Sequence, residues 1–289
     1  MAYHPASNNI FELAQPDIKW FLDNRGDLIL VPTASMEAHG AHLPIGCDSI
    51  SCMHIVEMAA KKADVPHTPL IWTGYSPHHL RQPCMGHGTV TLRPGTYMNL
   101  IYDVGRSLIH HGFNRLVFCV GHASNAKVFE PVMRRLRYDT GALIVVYKGF
   151  AERYYGILDG LFTSPPEDTP GWHSAELETS QVMAARPELV HMERAVKDRT
   201  HRPPYMPPSF SKRDGAADIV YQGQEYFVLP MEHADFSDSA TIGDPFQGTA
   251  EKGRIANERF ARYLADAIPE LLKARVEVHT REFNTKCEF

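Results

Sequence analysis

Short apolar runs, each followed by a loop and then by a segment of helical period, set the pattern of this chain. Asp27–Thr33 (DLILVPT) is apolar with a proline near its end and reads as a buried strand entering a loop. Ser49–Ala63 follows with Ile50, Met53, Ile55, Val56 and Met58 supplying the apolar side of a helix. His67–Thr73 is the next strand candidate, and Thr96–Gly112 reads as a helix stopped by its glycine. Leu116–Val120 (LVFCV) is a buried strand that feeds directly into Gly121-His122. A helix over Asn125–Tyr138 and a strand over Ala142–Tyr147 (ALIVVY) come next. Ala175–Ala185 reads as helical, and Ala250–Lys273 as an amphipathic helix. The proline-rich stretch Arg199–Asp214 is expected to be an irregular excursion serving as a lid or a subunit contact.

Strand, loop, helix, strand at this pace predicts an α/β protein, with a mostly parallel sheet between helical layers. No internal repeat interrupts it, so one domain over residues 1–289 is expected. Ligands of such sheets bind beyond the carboxyl ends of the strands. The exits at Thr33 and Val120 therefore mark the edge where a site is expected.

Composition narrows the class. Apolar residues at 44% and charged residues at 22% suit a globular enzyme. A net charge of -5 argues against a nucleic-acid partner. No apolar run approaches the roughly 20 residues that span a bilayer, so no membrane association is expected. The five cysteines, Cys47, Cys52, Cys84, Cys119 and Cys287, form no C-x-x-C pair and read as free thiols. With no secretory pattern at the N-terminus, a cytoplasmic protein is expected.

The chemistry concentrates at the two strand exits and one helix start. Glu37, His39 and Asp48 follow the first strand, His122 follows Val120, and Glu176 lies in WHSAELETS. Mixed carboxylates and imidazoles suit Zn, Mn or Fe. Glu37 and His39, two apart in an extended loop, project to one side. Asp48 is the candidate carboxylate to bridge two ions, because a short acidic side chain offers each ion one oxygen. Such a set suits metal-assisted hydrolysis. A serine hydrolase is disfavoured by the absence of G-x-S-x-G, and a nucleotide enzyme by the absence of a P-loop or G-x-G-x-x-G. A non-catalytic metal- or sugar-binding module would leave the open, acidic ligand set unexplained.

Ser35–Asp48 (SMEAHGAHLPIGCD), Gly121–Asn125 (GHASN) and His173–Ser180 (HSAELETS) together resemble the creatininase family of metal-dependent amidohydrolases. Ile242-Gly243-Asp244-Pro245 and Ala250-Glu251-Lys252-Gly253 extend the resemblance over most of the chain. It implies a three-layer α/β/α sandwich, often assembled as a homo-hexamer, with two divalent ions per chain. Glu37, His39, Asp48 and His122 would be ligands, with Asp48 bridging. Some members carry a metal-binding glutamate two residues after the second-motif histidine; here that position is Ser124. In members lacking it, the first glutamate of the third motif substitutes, which is Glu176. His173 matches a histidine implicated in proton transfer. From the residues themselves, Glu178 cannot share the direction of Glu176 on a helix and is expected to be a structural or supporting carboxylate, and His42 either orients a ligand or caps the loop.

The expected partner is a small polar cyclic molecule, opened by attack of metal-bound hydroxide on a carbonyl. Polar residues at His78, His79, Arg81, His87, Ser124, Glu232, His233 and Asp235 suit a polyhydroxylated ligand. An oxidised inositol such as 3-dehydro-scyllo-inosose is the leading expectation, and a cyclic amide or formamide the alternative.

Overall fold

The computed structural model describes residues 3–81, 87–149 and 156–283. Cys84, Cys287 and the aromatic-rich stretch 150–155 lie outside these residues. Helix α1 (Gln15–Asn24) leads into β1 (Leu28–Thr33), which is buried along its whole length. Helices α2 (Cys47–Ala63) and α3 (Pro94–His110), strand β2 (Arg115–Val120), helix α4 (Ala123–Thr140) and strand β3 (Leu143–Tyr147) follow. The three strands are parallel in the order β1-β2-β3, with Leu28 opposite Arg115 and Arg115 opposite Leu143.

Alternation along the strands builds the three layers. Leu28, Leu30, Val117 and Cys119 point to one face and pack with Ile55, Val56 and Ala59 of α2 and with Phe260, Leu264 and Ile268. Ile29, Val31, Leu116, Phe118 and Val120 point to the other and meet Tyr97 and Ile101 of α3 and Phe129 and Leu136 of α4. Side chains of period 2 thus place successive residues in two different cores. The predicted α/β/α sandwich with a parallel sheet is what the chain forms.

The expected strand at His67–Thr73 is realised as isolated parallel bridges, Leu30 to His67 and Thr33 to Ile71. The backbone still alternates hydrogen bonds with β1, from Leu30 N to Pro66 O and from Ile71 N to Pro32 O. Pro66 and Pro69 have no N–H, so a continuous ladder cannot form there.

Two further helices, α5 (Glu176–Ala185) and α6 (Ala250–Lys273), join α2 on one side of the sheet. A Cβ on Gly253 would stand 1.8 Å from the Ser180 carbonyl oxygen, so this glycine is what lets α6 approach α5. Between them lies a small antiparallel sheet, β4 (Phe210–Ser211), β5 (Asp218–Tyr221) and β6 (Gln224–Val228). Gln222 and Gly223, both at positive φ, make the two-residue turn of the β5–β6 hairpin. The proline-rich 199–214 stretch is otherwise irregular, as its composition predicts. Cys47, Cys52 and Cys119 are free and buried. Among the described residues no helix is long and apolar enough to cross a membrane.

Candidate metal centre

The loop leaving β1 turns back on itself before α2 begins. Gly40, at a φ of 59°, occupies a conformation that residues with a Cβ rarely adopt. The Glu37 amide donates to Ile45 O (2.8 Å) and the Cys47 amide to Pro44 O (3.0 Å), closing the loop. Glu37 and His39 therefore reach the first turn of α2, where Asp48 sits. His122 caps α4 directly after β2, so both strand exits converge on one point.

Asp48 is at the centre of the convergence. Its Oδ1 lies 3.1 Å from His39 Nε2, and its Oδ2 lies 3.0 Å from His122 Nδ1. His122 Nδ1 is also 3.2 Å from Glu37 Oε1, and His39 Nε2 is 3.4 Å from Glu178 Oε2. One triplet, Glu37, Asp48 and His122, places its ligand atoms within 4.8 Å of one another; His39, Cys47 and Glu178 form a second such group. All but Glu178 are nearly or fully buried.

The far side of each imidazole is fixed. His39 Nδ1 donates to Glu37 O (3.1 Å), and His122 Nε2 donates to Tyr75 O (3.3 Å) with Ser76 Oγ at 3.1 Å. Carbonyls can only accept, so the opposite nitrogen of each ring faces the carboxylates, the usual support for a metal-binding histidine. Ser35 Oγ donates to Glu37 Oε2 (2.9 Å) and directs the other oxygen inward.

Charge in the cluster is arranged as for a bound cation. Burial disfavours a charged His39, yet Asp48 and Glu178 outweigh it and raise its pKa to about 10. For His122 burial is likewise outweighed, by Glu37 and Asp48, again to about 10. Protons on these rings thus hold places that divalent ions would take. Two atoms are left without any hydrogen bond at full burial, His39 Nε2 and Asp48 Oδ2. Orphaned groups of this kind are costly unless something else binds them. The clustered ligand atoms are compatible with a binuclear divalent-metal site.

Glu176 does not join this cluster. Its carboxylate accepts from the amides of Thr163 (3.0 Å) and Ser164 (2.8 Å) and pairs with Lys252 Nζ. Glu178 is the glutamate of this segment that lies against the cluster, with Oε2 3.4 Å from His39 Nε2. Residues two apart on a helix point in nearly opposite directions, so only one of the pair can face the site. Ser174, a non-glycine residue at a φ of 60°, turns its amide onto Glu178 Oε2 (2.6 Å) and fixes that choice. Such a backbone conformation costs of order 1–3 kcal/mol and is tolerated where the surroundings impose it.

His173 stands beside the cluster. Its Nε2 meets Ala38 O at 2.8 Å, its Nδ1 lies 3.9 Å from Glu37 Oε1, and its ring is 4.0 Å from that of His39. Burial first, and the charge on His39 second, push its pKa down to about 3. The imidazole is therefore neutral, with Nε2 donating and Nδ1 carrying the lone pair. His79, unassigned by sequence reasoning, puts Nε2 3.3 Å from Glu37 Oε1, and the His79 and His233 rings pack 4.7 Å apart. His42 donates or accepts at Thr179 Oγ1 (3.0 Å), away from the ligand atoms.

A cleft of about 990 Å³ opens over these groups. Its wall includes Glu37, Asp48, His122, His173 and Glu178 together with His78, Ser124, Trp172, Glu232 and Asp235. Arg81 and His87 do not line it; Arg81 stands 3.7 Å from Asp235 and is largely exposed.

Comparison with known proteins agrees with this geometry. The family model of creatininase, described as creatinine amidohydrolase, matches residues 12–268. Creatinine amidohydrolase of Pseudomonas putida is 27% identical over 259 residues, spanning 85% of this chain and 90% of its own. The 3-dehydro-scyllo-inosose hydrolase of Thermotoga maritima is 25% identical over 255 residues, spanning 86% and 78%. A solved manganese form of creatininase superposes with a TM-score of 0.70 at 25% identity, covering 93% of this chain and 100% of that one. The fold and the clustered ligands make this chain a metal-dependent hydrolytic enzyme, and it belongs to the creatininase family.

Proposed function

We propose that this enzyme hydrolyses a small polar cyclic amide, adding water across a C–N bond and opening the ring. The observation that carries the reading is two adjoining ligand groups, one of Glu37, Asp48 and His122 and one containing His39 and Glu178, with Asp48 against both His122 and His39 in the wall of the cleft. Glu37, Asp48 and His122 would hold one ion, and His39 and Glu178, with Asp48 beside them, would hold the other. When bound, two divalent ions activate water and polarise a carbonyl oxygen.

The chain's own groups supply the proton traffic and the orientation. His173 Nδ1 accepts the proton released as water adds to the carbonyl carbon, and returns it to the leaving nitrogen. The Ala38 carbonyl holds the ring in the tautomer that this requires. Ser35, through Glu37, and the Ser174 amide, through Glu178, keep the ligand carboxylates from turning away. Trp172 and Phe236 give the cleft apolar walls, and His78, Ser124 and Glu232 offer polar contacts to the ring substituents.

The amide reading is favoured over the ring-opening of an oxidised inositol by the family model and by the Pseudomonas relative, which covers 90% of its own length. The Thermotoga relative supports the second reading. Isotope tracing separates them. Metal-loaded protein is incubated in ¹⁸O-water with creatinine, a formamide and an oxidised inositol, with a chelated control. The expected result is one labelled oxygen in the opened cyclic amide and none after chelation. Label in the inositol product alone would move the assignment to C–C bond hydrolysis. Absence of any product from metal-loaded protein would remove all three substrate classes.

A further inference from the structure

A sulfur atom stands in the second ligand group, and amide hydrolysis by itself does not call for one. Cys47 opens α2, one residue before Asp48, and is fully buried. Its Sγ, a ring nitrogen of His39 and a carboxylate oxygen of Glu178 all lie within 4.8 Å of one another. The other two buried cysteines behave differently. Cys52 Sγ faces Thr33 O and Cys119 O, and Cys119 Sγ faces Val117 O, as thiols donating weakly to the backbone. Cys47 has no such acceptor among the described residues. Cys47 also packs with Leu43 and Val182.

A second observation points to a ligand at the same place. His39 Nε2 is fully buried and makes no hydrogen bond, although Asp48 Oδ1 and Glu178 Oε2 are 3.1 and 3.4 Å away. A sulfur, a nitrogen and a carboxylate oxygen therefore come together at one position, with Asp48 Oδ1 3.1 Å from its nitrogen. The other triplet, Glu37, Asp48 and His122, contains no sulfur.

We propose that Cys47 is a thiolate ligand of the ion held by His39, Asp48 and Glu178, giving that position a mixed sulfur, nitrogen and oxygen set. This rests on the two-ion reading above and deepens it. Coordination releases the thiol proton to solvent as the S–ion bond forms. Thiolate ligands suit zinc, whereas oxygen ligands suit manganese. The two positions then differ in preference, with zinc or cobalt retained longest beside Cys47.

Cobalt reports on the sulfur directly. Full-length protein is stripped, reloaded with Co(II), assayed for cobalt per chain and examined by absorption. The expected result is two cobalt per chain, with a sulfur-to-cobalt charge-transfer band in the near ultraviolet. In Cys47→Ser that band disappears while the visible cobalt bands remain. Two bound cobalt ions with no charge-transfer band in the unsubstituted protein would overturn the sulfur ligand and leave the two-ion site intact. A band surviving Cys47→Ser would assign it to another thiol and overturn the proposal equally. Failure to bind cobalt at all would remove the two-ion reading and the sulfur ligand together.

Discussion

Asp48→Ala is expected to empty both ion positions and to lower turnover by more than about a thousandfold, the scale of several kcal/mol that metal ions contribute to charge stabilisation. The carboxylate is the group that lies against both imidazoles, at 3.0 Å from His122 and 3.1 Å from His39. Without it, each position keeps one carboxylate and one imidazole from the pairs Glu37–His122 and Glu178–His39. Asp48→Asn refines the test because it preserves shape and removes charge. Metal content by mass spectrometry and turnover should fall together in both variants. Loss of turnover at full metal content would instead make Asp48 a proton carrier, and retained turnover would remove it from the site.

The second large effect separates two glutamates only two residues apart. Glu178→Gln should lower metal content to about one ion per chain and reduce kcat/KM by roughly a hundredfold or more, with little effect on folding. Glu176→Gln should do the reverse. It leaves Lys252 beside a neutral amide, in a pocket where the carboxylate is buried and the ammonium only partly exposed. Breaking such a pair costs about 3 kcal/mol, the low end of the range for buried pairs because Lys252 still reaches water. Metal content of the folded protein should stay at two.

The pH dependence gives an independent readout of Glu176. Burial works against its charge, but Lys252, Ser164 and Thr163 prevail and hold its pKa below the ordinary carboxylate value. A carboxylate with a depressed folded pKa contributes stability above its unfolded pKa and loses it as pH falls through the folded value. The acid limb of the stability profile should therefore be shallower in Glu176→Gln than in the parent chain. An unchanged limb, or loss of metal in Glu176→Gln, would return this glutamate to the site.

The pair also shows where the sequence stopped being readable. Helical geometry states that Glu176 and Glu178 face apart, but not which one faces the metals. That depends on Ser174, whose left-handed backbone points its amide at Glu178, and on Lys252, which comes from a helix 76 residues further on. Neither contact leaves a local pattern. That Glu37, His39, Asp48 and His122 come together could be foreseen, because the segments carrying them leave β1 and β2 at the same edge of a parallel sheet.

Much of the fold was legible for the same reason. Leu116–Val120 and Ala142–Tyr147 are apolar throughout because both faces of the sheet are covered, and the structure divides them between two cores. The β5–β6 hairpin was not foreseen. Its turn is Gln222-Gly223 rather than an asparagine–glycine pair, and β6 is mostly exposed, so no alternation of apolar residues announces it. His79 was also passed over as a pocket residue among several, since only folding brings it to 3.3 Å from Glu37.

Anomalous diffraction from crystals of the zinc-loaded protein, recorded at the zinc edge, tests the central claim most directly. The account predicts two peaks per chain, roughly 3.5–4 Å apart. One should touch Glu37 and His122, the other His39 and Glu178, with one oxygen of Asp48 on each. A single peak, or a second peak bound by Glu176, would contradict it.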